Sequence, residues 1–141
     1  MEFRPLYYRS ACARLDLFAR DYAGEGPALL LMHGLTRNSA DFEPLVHHLY
    51  GRYRLLVPDQ RGRGLSEYDP QPENYRPDVY AKDMLALLRE ADLEQVSAIG
   101  TSMGGLVAMA MAAIEPDCIS AAVLNDVGPE LSSAGLERIA S

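Results

Sequence analysis

The residues best placed for chemistry are Gly100-Thr101-Ser102-Met103-Gly104, which follow an apolar run at 96–99 and precede a helical one at 106–114. A strand that turns at once into a helix crowds its own backbone. The positions flanking the turn, Gly100 and Gly104, must then be small, and the central hydroxyl is held out. The helix that starts there directs its free N–H groups and its positive dipole end at whatever lies beside the hydroxyl, which favours an oxyanion. Ser102 is therefore a candidate nucleophile for acyl transfer. Two more stretches fall just after apolar runs: His33-Gly34-Leu35, and Asp59-Gln60-Arg61-Gly62-Arg63-Gly64-Leu65-Ser66.

A base is harder to find. The chain has 3 histidines, and none follows Ser102. His47 and His48 are adjacent on an expected helix, so they point about 100° apart and cannot hold one metal ion together; a solvated face suits them. Cys12 and Cys118 lack CxxC spacing and read as two reduced thiols of a cytoplasmic protein. No metal or cofactor is expected. The net charge of −7 argues against nucleic acid or an anionic membrane as partner. Nothing near Met1 reads as a signal peptide, and no apolar run approaches membrane-spanning length.

Two hydrophobic periods alternate along the chain and must position these residues. Residues 3–9 and 12–18 read as short strands of a hairpin ahead of Gly24-Glu25-Gly26-Pro27. Residues 28–32 form a continuous apolar run, as in a strand buried on both faces. Ser39 or Asp41 is expected to cap a helix whose Phe42, Leu45, Val46 and Leu49 share a face. A buried strand at 54–57 follows, then a long polar loop at 58–77. A second amphipathic helix is marked by Tyr80, Met84, Leu87, Leu88 and Ala91. A strand at 96–99, the helix at 106–114 and a strand at 119–124 complete the series. Such alternation predicts an α/β fold: a mostly parallel sheet with helices on both faces. The three polar stretches then lie at the carboxyl ends of strands, where open α/β sheets place ligands.

In this order, the His-Gly turn, the D-x-R-G-x-G-x-S stretch and the serine turn closely resemble the α/β-hydrolase family, with similarity from the leading hairpin to Asn125-Asp126-Val127-Gly128-Pro129. The resemblance implies a serine hydrolase of esterase type acting on a small-molecule acyl substrate, with the oxyanion hole formed by the backbone N–H groups of Leu35 and Met103. Gly34 would permit close approach, and His33 would support its loop by hydrogen bonding. Relatives that open epoxides or remove halide attack with an aspartate at the serine position, so those chemistries are not expected. C–C bond hydrolysis and perhydrolysis share these motifs and stay open.

The family order is nucleophile, acid, histidine. Asp126, after the sixth strand, is either the triad acid or a turn former ahead of Gly128-Pro129. Asp59 and Arg61 are expected to pin their loop through local hydrogen bonds and an ion pair, while Tyr75 and Tyr80 fit core or rim equally. The family's sheet usually has eight strands; this chain supplies six and ends, at 134–141, in what reads as a helix cut short. It is therefore expected to be the N-terminal part of a single hydrolase domain of roughly 250–280 residues. A cap, two strands and the catalytic histidine would come from a C-terminal segment of the same protein. The alternative is a catalytically incomplete fragment, active only when complemented by that segment. The sixth strand would leave an uncovered apolar edge.

Overall fold

The apolar runs become the centre of one sheet. A computed structural model describes residues 2–35 and 37–125. Its strands are β1 (Arg4–Arg9), β2 (Asp16–Tyr22), β3 (Ala28–Met32), β4 (Arg54–Asp59), β5 (Val96–Thr101) and β6 (Ile119–Asn125). Its helices are α1 (Glu43–Leu49), α2 (Pro77–Glu90) and α3 (Met103–Ile114). The strand order is β1-β2-β4-β3-β5-β6. β1 and β2 are antiparallel, as are β2 and β4, whereas β4, β3, β5 and β6 run parallel. The expected α/β architecture is found.

Successive side chains of a strand face opposite ways, and the two cores follow that rule. Leu30, Met32, Leu56 and Ala98 pack with Met84, Leu87, Val107 and Met111 of α2 and α3. Leu29, Leu31, Leu55 and Val57 pack with Phe42 and Val46 on the other face. Both faces of β3 and β4 are thus dry, which is why these strands read as continuous apolar runs.

The expected strands 12–18, 54–57 and 96–99 run on to Tyr22, Asp59 and Thr101, and three further differences have a local cause. The second strand begins at Asp16, not at residue 12, because Ser10 captures the chain locally: its hydroxyl and carbonyl accept from Leu15 N (3.2 Å) and Ala13 N (2.8 Å). Such local bonds compete with a strand ladder. Asn38, not Ser39 or Asp41, caps the 3-10 turn Ser39–Phe42 that leads into α1, accepting from Ala40 N at 2.9 Å. The Ser39 amide instead donates to Asp59 Oδ1 at 2.7 Å. Finally, α3 starts at Met103, directly after the serine.

The loop after β4 is knotted rather than slack. Asp59 holds the amides of Ser39 and Leu65 with its two oxygens. Arg61, fully buried, donates to Asp69 at 2.6 Å and to both oxygens of Asp83 at 2.8 and 2.7 Å. Tyr80 is wholly buried and Tyr75 partly so. Asp126 and the helix expected over 134–141 lie outside the described residues.

Candidate active site

Ser102 stands between β5 and α3 with φ 54° and ψ −114°. That conformation is strained for any residue with a Cβ. Its amide donates to Asn125 O at 2.8 Å and its carbonyl accepts from Gly105 N at 2.9 Å, so backbone on both sides fixes the turn. The flanking glycines are sterically required. A Cβ at Gly100 would sit 2.5 Å from Gly104 O, and one at Gly104 would overlap the carbonyl of Met32 on β3. The first turn of α3 therefore rests directly against the neighbouring strand.

The His-Gly turn lies beside the serine. A Cβ on Gly34 would be 3.7 Å from Ser102 Cβ, an ordinary van der Waals contact, so the two loops lie side by side but the expected need for a glycine to permit their approach is not seen. His33 is buried, and both ring nitrogens are committed: Nε2 accepts from Gln60 N at 3.0 Å, and Nδ1 bonds the Gly34 carbonyl at 2.7 Å. An amide N–H can only donate, so Nε2 is unprotonated and Nδ1 carries the proton. Burial pushes the pKa of His33 down, against a smaller upward pull from its bond to Gly34 O. In a trans peptide the C=O and the following N–H point in opposite directions. By holding the Gly34 carbonyl, His33 turns the N–H of Leu35 away from itself. Arg63 Nε donates to the Leu35 carbonyl at 3.1 Å.

Among the described residues, the amides of Leu35 and Met103 make no turn, loop or cap hydrogen bond to a backbone acceptor. The structure thus gathers Ser102, Gly100, Gly104, Met103, Gly34, Leu35 and His33 at one end of the sheet. His47 and His48 are exposed on α1, and His33 has no nitrogen to spare. Among the described residues no cluster of His, Cys, Asp and Glu is arranged to hold a metal ion. No described helix is long and apolar enough to cross a membrane.

Two partners escaped the sequence reading. The tie from Arg63 to Leu35 joins loops 28 positions apart and leaves no pattern to read. Asp83 did leave one. It shares the buried stripe of α2 with Tyr80 and Leu87, and a charge on an apolar stripe calls for a buried counter-charge.

A serine on a strained strand-to-helix bend, next to a His-Gly loop on the adjacent parallel strand, is the arrangement of a hydrolase-type fold. The chain belongs to the alpha/beta hydrolase fold family, whose family model matches residues 27–138. It is 40% identical over 111 residues to a 3-hydroxybutyrate-oligomer hydrolase of Cupriavidus necator, covering 79% of this chain and 38% of that protein. It is 35% identical over 127 residues to a 2-(acetamidomethylene)succinate hydrolase of Mesorhizobium japonicum, covering 89% and 44%. A crystal structure of an alpha/beta hydrolase from Novosphingobium aromaticivorans superposes with a TM-score of 0.85 at 48% identity, over 98% of this chain and 49% of that one. The chain spans about half, or less, of the length of the relatives it matches.

Proposed function

We propose that the chain carries the nucleophile half of a serine hydrolase acting on a carboxylic ester or related acyl compound. The observation that carries this reading is the backbone of Ser102, strained at the head of α3 with the Gly34 loop against it. Two relatives are named as hydrolases, of 3-hydroxybutyrate oligomers and of 2-(acetamidomethylene)succinate, which supports hydrolysis of a carbonyl compound.

In this mechanism Ser102 Oγ bonds to the acyl carbon while the carbonyl π pair moves onto oxygen. The Leu35 and Met103 amides hold that oxyanion, and the dipole of α3 adds to them. The Oγ proton passes to a base and then to the departing alcohol as the C–O bond breaks. Water, deprotonated by the same base, releases the acid from the acyl-serine. The base is a histidine supplied from beyond residue 141, and Asp126 is a candidate to orient it. His33 stays neutral and holds the loop.

The alternative is a catalytically incomplete fragment. Residues 1–141 alone then act only when complemented by a C-terminal segment. Without the triad histidine, only a residual acceleration of about 10³–10⁴ over water is expected, from the oxyanion hole and binding. A fluorophosphonate probe tests both readings. Labelling of the complete polypeptide, abolished by Ser102→Ala, supports acyl transfer; labelling of residues 1–141 only after the C-terminal piece is added supports complementation. A complete polypeptide that never labels sinks the proposal.

A further inference from the structure

Arg63 occupies an unusual setting. Its Nε donates to the Leu35 carbonyl at 3.1 Å, and its Nη1 donates to the Arg61 carbonyl and to Tyr80 Oη, each at 3.0 Å. The guanidinium also lies over the rings of Tyr75 and Tyr80, at 5.6 and 5.2 Å from their centroids. Tyr80 is fully buried, so the anchor is part of the core. Among the described residues no carboxylate lies within ion-pair distance of Arg63, whereas Arg37 pairs with one carboxylate and Arg61 with two. Every hydrogen-bond partner it has there is neutral.

We propose that Arg63 is a positioning residue for the Leu35 arm of the oxyanion hole, an inference that rests on the acyl-transfer reading above. Leu35 is held from both sides. His33 fixes the carbonyl of Gly34, in the peptide that carries the Leu35 N–H, and Arg63 fixes the carbonyl on the other side of the Leu35 Cα. With both carbonyls pinned, the N–H keeps one direction, so little reorganisation remains when negative charge appears on the substrate oxygen. A guanidinium with no carboxylate at ion-pair distance among the described residues adds positive potential at that loop, which favours the oxyanion over the uncharged ester.

The test uses the complete polypeptide, a neutral nitrophenyl ester, and two inhibitors: an aryl trifluoromethyl ketone, which adds the serine to give an anionic hemiketal, and the matching methyl ketone, which does not. In Arg63→Met, kcat should fall about 10- to 100-fold, as expected for a misaligned oxyanion donor, with KM within about twofold. Affinity for the trifluoromethyl ketone should fall in step with kcat/KM, while the methyl ketone binds as before. Arg63→Lys, which keeps the charge, should recover part of the loss. If Arg63→Met fails to fold, Arg63→Lys and Tyr80→Phe carry the test, with smaller losses of the same pattern. Turnover by Arg63→Met within about twofold of the parent, or equal loss of affinity for both ketones, overturns the role of Arg63. An inactive parent, or activity that survives Ser102→Ala, overturns the acyl-transfer reading instead.

Discussion

The backbone N–H of Gln60 donates to Nε2 of His33 at 3.0 Å, a bond that exists only while the ring is neutral. Burial holds the pKa of His33 below its ordinary 6.5, so the unfolded chain takes up this proton at a higher pH than the folded one. The contribution of the neutral ring is complete above 6.5 and is lost as the pH falls from there towards the lower folded value. Urea midpoints of the parent should therefore drop between about pH 7 and pH 5 relative to those of His33→Asn, which lacks the titrating ring. Parallel profiles would show that His33 does not couple the two loops.

Gly104→Ala should be costly because the new methyl meets the Met32 carbonyl, a backbone atom that cannot swing aside. Overpacking of this kind costs about 1–3 kcal/mol. Thermal unfolding should show the loss, and any variant that folds should also label poorly at Ser102, since the bend must shift to admit the methyl.

Ser102→Gly should be more stable than the parent. Relief of a φ of 54° is worth about 1–3 kcal/mol, against about 0.5–1 kcal/mol for the added freedom of glycine in the unfolded chain. A net gain of about 1 kcal/mol is expected, with complete loss of probe labelling. Ser102→Ala keeps the strained backbone and should unfold at the parental midpoint. Equal midpoints for the glycine and alanine variants would mean that the bend stores no strain.

Asp83→Asn leaves Arg61 buried with one carboxylate partner instead of two and weakens the hold on the Ala11 amide, which donates to Asp83 at 3.0 Å. Breaking a buried, hydrogen-bonded pair costs about 3–5 kcal/mol. The effect should persist in high salt, because screening acts poorly on buried charges. A loss that disappears at molar salt would place this pair on the surface.

Much of the fold was legible because β3 and β4 are buried on both faces and so must be apolar throughout, and because α2 presents a clear helical stripe. The serine bend was legible for the same kind of reason: two glycines at fixed spacing answer two specific backbone contacts. The start of β2 was not, since residues 12–15 are as strand-like as their neighbours and only the local bonds of Ser10 divert them. The clamp on the His-Gly loop was equally hidden. It runs through the Gln60 amide and the Leu35 carbonyl, groups that every residue type but proline possesses, so sequence carries almost no mark of them. Asp126, the residue with two open roles, falls outside the described residues.

Leu35 turns its backbone into the clamp, and the residue as a whole stays 56% exposed. On the proposed mechanism, the reaction draws only on main-chain atoms at this position, which stay the same for every amino acid except proline. A lineage can therefore exchange the leucine to suit a bulkier or more polar acyl group without disturbing the arithmetic of bond making. Recognition and reactivity are separable here one codon at a time, which helps explain how a single scaffold accommodates many substrates.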